Sequence, residues 1–196
     1  GGRSESMGVM DPKRRRLVFF GGDDGAPVNC NPAPHPIGGL WVYDTVCATF
    51  EEIQYESGPG PRARGIAAYD SDRDQMLIFG GRYREASMGQ YTIYNEVWAL
   101  NLEDLTWKEI KTTGPAPVAR SATAGAYNKV TGEFVVVGGN ASDNGLVFKP
   151  LNDVWALNIE AGTWREVPVM GQKPIARLFH GAALDSEKDH LYIFGG

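Results

Sequence analysis

The feature that most constrains the fold is a short apolar run that ends in two glycines and occurs four times. The glycine pairs begin at Gly21, Gly80, Gly138 and Gly195, with spacings of 59, 58 and 57 residues. An arginine stands 18 residues before each pair, and these arginines are Arg3, Arg62, Arg120 and Arg177. Landmarks that keep one register along a chain identify an internal repeat.

Each repeat is predicted to form four short strands. A variable stretch after each of the first three glycine pairs leads to a tryptophan, and a second aromatic follows nine residues later. The apolar runs are short, rich in β-branched and aromatic residues and bounded by turn residues, without a helical period. Four antiparallel strands per repeat indicate a blade of a β-propeller. The predicted units are residues 5–54, 62–111 and 119–168, with a half unit at 177–196.

Glycine pairs and aromatics are expected to be scaffold positions. No helix or Lys-Ser pair follows the glycines, so a phosphate-binding loop is not indicated. Instead, each pair is predicted to turn the strand end with positive φ beside an aromatic of a neighbouring unit. One aromatic per unit is typical of blade-to-blade packing rather than of a ligand contact.

The glycine pair, the two aromatics and the P-x-x-R stretch before the first strand closely resemble the Kelch motif. The resemblance covers essentially the whole chain and implies an all-β Kelch-type propeller. His180 departs from it, because Ser6, Gly65 and Thr123 stand at this position in the other units. Propellers close with four to eight blades. The three and a half units therefore predict an open arc of a six- or seven-bladed propeller, with further blades or another chain covering its two edges.

The four repeated arginines have two interpretations. They precede the innermost strand, so they could ring the mouth of the central channel and bind a carboxylate or an acidic peptide. Alternatively, each arginine pairs with an acid such as Glu96 or Asp153 and joins neighbouring blades. Gly39 replaces this acid in the first unit, so Arg3 or a neighbouring arginine of the set is expected to lack such a partner.

The loops between the second and third strands do not repeat, and they are longer than ordinary hairpin loops. Variable loops on a rigid scaffold are common binding sites. The candidate partner-binding residues in these loops are Arg82, Tyr83, Arg84, Tyr91, Tyr94, Asn140, Asn144 and Lys149. Charge reversal at Arg82 and Arg84 is predicted to weaken partner binding with little change in thermal midpoint.

Other motifs predict little chemistry. The three histidines show no metal-ligand spacing, and no nucleophile elbow occurs, so no metal, cofactor or catalytic residue is expected. A net charge of −5 argues against nucleic acid, and no apolar run is long enough to span a membrane. The basic run at Lys13–Arg16 is expected to be a solvated cluster, and Cys30 and Cys47 are expected to be free thiols on opposite faces.

The sequence therefore predicts a non-enzymatic protein–protein interaction module whose loop-bearing side binds a protein or peptide with acidic or polar groups. One alternative is a Kelch domain that acts as the scaffold or regulatory arm of an enzyme. A second alternative is a structural subunit of a large assembly. The two cysteines favour a reduced, cytoplasmic compartment, although the N-A-S sequon at Asn140 leaves secretion open.

Overall fold

The computed structural model describes residues 3–24, 37–85 and 89–196, and all regular secondary structure in these ranges is β-strand. The strands are β1 (Met7–Asp11), β2 (Arg16–Phe20), β3 (Leu40–Asp44), β4 (Thr49–Ile53), β5 (Ile66–Asp70), β6 (Gln75–Phe79), β7 (Arg82–Tyr83), β8 (Thr92–Ile93), β9 (Val97–Asn101), β10 (Trp107–Ile110), β11 (Ala124–Asn128), β12 (Glu133–Asn140), β13 (Pro150–Asn158), β14 (Thr163–Glu166), β15 (Gly181–Asp185) and β16 (His190–Phe194).

These strands form successive antiparallel sheets, one for each predicted unit. The described residues form the four-stranded sheets β1-β2-β3-β4, β5-β6-β9-β10 and β11-β12-β13-β14, then the pair β15-β16. The innermost strands β1, β5, β11 and β15 contact one another in that order. Blades packed side by side around their first strands form a β-propeller, so the predicted fold class is confirmed. A small hairpin, β7-β8, projects from the second blade, and the sequence did not predict it.

Side-chain caps make the tight turns between first and second strands. The Asp70 carboxylate, for example, accepts hydrogen bonds from the backbone N–H groups of Asp72 and Arg73, at 3.0 and 3.1 Å. Asp74 then takes a φ of 53°, and Gly132 takes a φ of 69° at the same turn position of the third blade. The four turns lie on one side of the sheets, which we call the turn face. The opposite side carries residues 61–65, 80–85, 89–94, 119–123 and 139–149, and we call it the loop face.

The hydrophobic core lies between adjacent blades. The ring of Trp107 packs 5.2 Å from the ring of Phe20 in the preceding blade, and Trp164 packs 5.2 Å from Phe79 in the same way. Phe20 and Phe79 are fully buried. The prediction that the repeated aromatics pack blade against blade is therefore confirmed for these two tryptophans. Phe50 is 64% exposed and packs on Phe19 and Tyr43 of its own blade.

The glycine pairs hold the junctions between blades. All four pairs have positive φ, as predicted. The neighbour that requires glycine is a backbone carbonyl rather than an aromatic ring, so that part of the prediction was wrong. A Cβ on Gly80 would lie 2.5 Å from the carbonyl oxygen of Arg120, and a Cβ on Gly21 would lie 2.2 Å from that of Arg62. The next N–H along the chain, at Gly81, donates to the same Arg120 carbonyl at 2.9 Å.

The basic run at Lys13–Arg16 is a structural junction on the turn face, which corrects the expectation of a solvated cluster. The Arg14 guanidinium bonds Asp74 of the second blade at 2.9 Å, and Arg16 pairs with the fully buried Asp11 at 3.0 Å. Lys13 and Arg15 are exposed, so the correction applies to Arg14 and Arg16. The run therefore joins the first and second blades.

Candidate functional site

The two middle repeated arginines are buried in their own blades. Arg120 forms two parallel hydrogen bonds to Asp153, at 2.7 and 2.8 Å, and donates to the Gly138 carbonyl at 3.0 Å. Arg62 pairs with Glu96 at 2.8 Å in the corresponding position. The exposed fractions of Arg120 and Arg62 are 0% and 1%, so we do not count these two among the proposed partner contacts.

The first repeated arginine pairs with no acid among the described residues, and the structure shows carbonyl partners for the first and last arginines. Arg3 donates to the carbonyls of Gly21 and Gly38, at 3.2 and 2.9 Å, and its guanidinium lies 5.5 Å from the centre of the Trp41 ring. Arg177 donates to the Gly195 carbonyl at 2.7 Å. In the two middle units the ion pair stays within one blade. The backbone carbonyl of the arginine makes the link between blades. It accepts a hydrogen bond from the second glycine of the pair in the preceding blade.

A second repeated position, two residues after each arginine, lines the loop face close to the innermost strands. Its residues are Glu5, Arg64, Ala122 and Phe179, all with φ between 52° and 60°. The N–H groups of Arg64, Ala122 and Phe179 each donate to the carbonyl of the preceding residue of the set, at 3.2, 2.6 and 3.1 Å. Non-glycine residues with positive φ are uncommon and cluster at functional sites. The chain therefore holds four different side chains on one repeated backbone frame, and the sequence analysis missed them.

Two of these residues belong to an exposed aromatic patch, defined as Arg64, Phe148 and Phe179. The Arg64 guanidinium lies 4.7 Å from the centre of the Phe179 ring, and the Phe148 ring packs edge-on at 6.4 Å. Phe148 is 64% exposed and Phe179 is 52% exposed. Exposed aromatics beside an arginine are typical anchors of protein–protein interfaces.

The predicted loop residues of the second blade cluster beside the aromatic patch. The guanidinium groups of Arg82 and Arg84 stack on Tyr91, at 4.1 and 4.5 Å from the ring centre. Tyr94 stacks on Arg62 at 4.0 Å, and Tyr83 is half-buried. Arg82 is only 8% exposed. Charge reversal at Arg82 is therefore expected to lower the thermal midpoint as well as any binding, unlike the result that the sequence predicts.

The loop of the third blade is held by its own polar groups. Asn140 is 4% exposed and accepts a hydrogen bond from the Lys149 N–H at 2.7 Å. This burial leaves its sequon inaccessible in the folded chain. The Asn144 carbonyl accepts from the Tyr91 N–H at 2.8 Å, so the loops of the second and third blades are joined. The Lys149 ammonium is half exposed and pairs with Asp143.

A carboxyl pair lies behind the aromatic patch. A backbone bridge between Ser4 and Asp23, with bonds of 3.1 and 2.7 Å, holds Asp23 beside Glu5. Burial raises the pKa of Asp23 to about 6, and the hydrogen bond and charge of Glu5 act in the same direction. The pKa of Glu5 shifts the other way. Burial alone would raise this pKa, but hydrogen bonds from Arg64 and Asp23 lower it overall. The pair therefore holds one proton more readily than two separate carboxyls.

We expect the Asp23→Asn variant to be more stable than the native chain at pH 7 and equally stable at pH 4. The folded pKa of Asp23 lies above the unfolded value of about 4, so unfolding releases a proton between pH 4 and 6 and native stability falls as pH rises through that window. The expected gain at pH 7 is about 1–3 kcal/mol. Urea unfolding of both proteins from pH 4 to 7 measures it. A difference that does not change with pH would contradict the raised pKa.

The described ranges contain no group of three or more metal-ligating side chains placed to hold a metal ion. Within the same ranges no helix is long and apolar enough to cross a membrane. Cys47 is an exposed free thiol, and Cys30 lies outside the described residues. His180, which has no equivalent in the other repeats, is buried in the junction between the third and fourth sheets. Its ring packs against Gly138 there.

These sheets and the repeated arginine–carbonyl junctions define a repeat protein of the β-propeller class. The chain belongs to the Kelch-repeat family, because the KLHDC2/KLHL20/DRC7 Kelch-repeats domain matches residues 1–196. This confirms the resemblance read from the sequence. Domains of this family generally serve as protein–protein interaction modules and are typically not enzymes.

Several longer proteins are similar to this chain. Kelch domain-containing protein 2 of Bos taurus is 31% identical over 210 residues, which cover 98% of this chain and 47% of that protein. Acyl-CoA-binding domain-containing protein 5 of Arabidopsis thaliana is 30% identical over 123 residues, with coverages of 63% and 17%. Among solved structures, YjhT superposes with a TM-score of 0.66 at 12% identity, covering 95% of this chain and 58% of YjhT. The chain thus spans about half or less of the length of these curated relatives.

Proposed function

We propose that this chain is a non-enzymatic interaction module that binds a protein or peptide with acidic or polar groups on its loop face. The observation that carries the proposal is the aromatic patch, which combines two exposed aromatic rings with a stacked guanidinium. The loop face also carries Arg84, which stacks on Tyr91, and Lys149, which pairs with Asp143, although the whole chain has a net charge of −5. Local basic groups beside exposed rings favour a partner that supplies carboxylates and apolar side chains.

The proposed partner is neither nucleic acid nor membrane, and the proposed compartment is the cytoplasm. The net negative charge disfavours the bulk attraction to phosphate that nucleic-acid binding requires. No cofactor is invoked, because binding by aromatic and charged side chains needs none. We propose that further blades, from the same or another polypeptide, complete a six- or seven-bladed ring.

A second role is favoured by one comparison. The similar stretch is 17% of the Arabidopsis acyl-CoA-binding domain-containing protein 5, so Kelch repeats there belong to a much longer polypeptide. This chain could serve in the same way as the binding arm of a protein with other domains, or as a structural part of a large assembly. In each of these roles the loop face is still the proposed docking surface.

We expect Phe148→Ser to weaken partner binding at least tenfold, because exposed aromatic anchors carry much of an interface's binding free energy. The probe is a phage-displayed library of random 12-residue peptides selected on the immobilised chain. Enriched peptides, expected to be rich in Asp and Glu, are then measured by fluorescence anisotropy. Lys149→Glu is expected to weaken the same peptides.

The matched control is Val130→Ser, because Val130 is 68% exposed on the turn face. We expect this variant to bind as the native chain does, and all three variants to keep their thermal midpoints within a few degrees. If the peptides bind Phe148→Ser normally but lose affinity for Val130→Ser, the proposed docking face is wrong.

A further inference from the structure

A groove on the loop face separates the β7-β8 hairpin from the third blade. It has a volume of about 530 Å³ and is lined by Tyr91–Ile93 on one wall and Ala141–Asp143 on the other, with Val118 and Ala119 between them. Val118 is 57% exposed. The groove is therefore wide enough for a segment of main chain with its side chains.

One wall of this groove is an open strand edge. In the hairpin, Arg82 exchanges two hydrogen bonds with Ala63, at 2.8 and 3.0 Å, on the side away from β8. Arg82 faces Ile93 in the antiparallel register. Because the main-chain groups of one antiparallel pair point either both inward or both outward, Ile93 must direct its N–H and C=O away from β7 and into the groove.

The neighbours of Ile93 on this edge are already paired. The Tyr91 N–H donates to the Asn144 carbonyl at 2.8 Å, and the Tyr94 carbonyl accepts from the Arg120 N–H at 3.1 Å. Within the described ranges, the N–H and C=O of Ile93 form no hydrogen bond outside the hairpin. Ile93 thus offers an open donor and an open acceptor between the paired N–H of Tyr91 and the paired C=O of Tyr94.

We infer that the groove binds an extended peptide segment of the partner, which pairs with Ile93 as an added strand. One residue in extended conformation satisfies both groups of Ile93, which is how peptides extend exposed sheet edges. The exposed Val118 side chain selects an apolar residue. This inference rests on the proposed function, because it assigns the binding mode of a partner that docks on the loop face.

Two variants test the groove with the peptides selected on the native chain. Ile93→Pro removes only an N–H that points away from β7, a position where strand edges tolerate proline. Val118→Asp places a charged side chain in the groove and leaves the hairpin unchanged. This variant therefore still tests the groove if the proline variant fails to fold. We expect each folded variant to bind the peptides at least tenfold more weakly. Val130→Asp on the turn face is the control and should bind normally.

Amide hydrogen exchange provides a direct signature. Bound peptide should slow exchange of the Ile93 N–H at least tenfold, because a strand added to this edge accepts its proton. Unchanged exchange at Ile93, or native affinity for both groove variants, overturns the inference.

The pattern of losses separates the two proposals. One outcome is that the peptides bind Phe148→Ser more weakly but bind Ile93→Pro and Val118→Asp normally. This outcome supports the aromatic patch as the docking site and contradicts the inference about the groove. Peptides that respond only to the groove variants support the groove and overturn the patch. A selection that enriches no peptide contradicts both.

Discussion

Gly80→Ala should cost about 4 kcal/mol of unfolding free energy, one of the two largest losses that we expect from a single substitution in this chain. Part of the cost is the φ of 69°, at which an L side chain is strained by about 1–2 kcal/mol. The rest comes from overlap, because the new Cβ would lie 2.5 Å from the Arg120 carbonyl oxygen. Relieving that contact requires the second and third blades to separate. Urea unfolding of the native and variant chains measures the change.

Gly132→Ala provides the matched control. Gly132 has the same φ of 69°, but a Cβ there would have no atom within 4 Å. The expected loss is therefore only the backbone strain of about 1–2 kcal/mol. Equal losses at the two positions would show that the carbonyl contact between blades contributes nothing, and that the glycine pairs are needed only for their backbone conformation.

Arg120→Met should lower the unfolding free energy by about 3–5 kcal/mol, because removing one member of a buried ion pair leaves the other uncompensated. Asp153 would lose two short hydrogen bonds, and the carbonyls of Gly138 and Val118 would lose their donor. The double variant Arg120→Met with Asp153→Leu should recover part of this loss, since no unpaired carboxylate remains. Thermal and urea unfolding of the three proteins measure both effects.

Arg165→Met is the matched control for Arg120→Met. Arg165 binds Glu133 through two hydrogen bonds of 2.8 Å. The geometry resembles that of Arg120 with Asp153, but the Arg165 side chain is 55% exposed. Glu133 is largely buried, but a pair with one exposed member is partly screened by water, so Arg165→Met should cost about 1–2 kcal/mol, less than Arg120→Met. A loss as large as that of Arg120→Met would mean that burial is not the deciding difference.

The sequence predicts the blades well because scaffold positions repeat residue types. The four-strand repeat follows from the recurrence of the glycine pairs, and the packing of Trp107 and Trp164 follows from the recurrence of the aromatics. The sequence could not identify the partner of the glycine pairs, since a backbone carbonyl has no sequence signature. The same limit applies to the ion pairs of Arg14 and Arg16, whose side chains are only 27% and 17% exposed although their charges alone indicated solvent exposure.

The candidate site was harder to predict, for two different physical reasons. Glu5, Arg64, Ala122 and Phe179 share a backbone conformation but no residue type, so only their constant offset of two residues from the repeated arginine could have identified them. The third blade carries a counterpart of the β7-β8 hairpin, because Asn140 pairs with Pro150 where Arg82 pairs with Ile93. Each strand of the β7-β8 hairpin has only two residues. Strands this short carry no hydrophobic alternation.

The most direct test of the account is the exchange footprint of a selected peptide on the native chain. Amide exchange with and without peptide reports every protected region at once. The account predicts slower exchange on the loop face, at residues 63–65, 82–85, 91–94 and 141–149, and unchanged exchange on the turn face at 11–16, 70–75 and 128–133. Protection confined to the turn face would contradict the central claim that the variable residues of the loop face bind the partner.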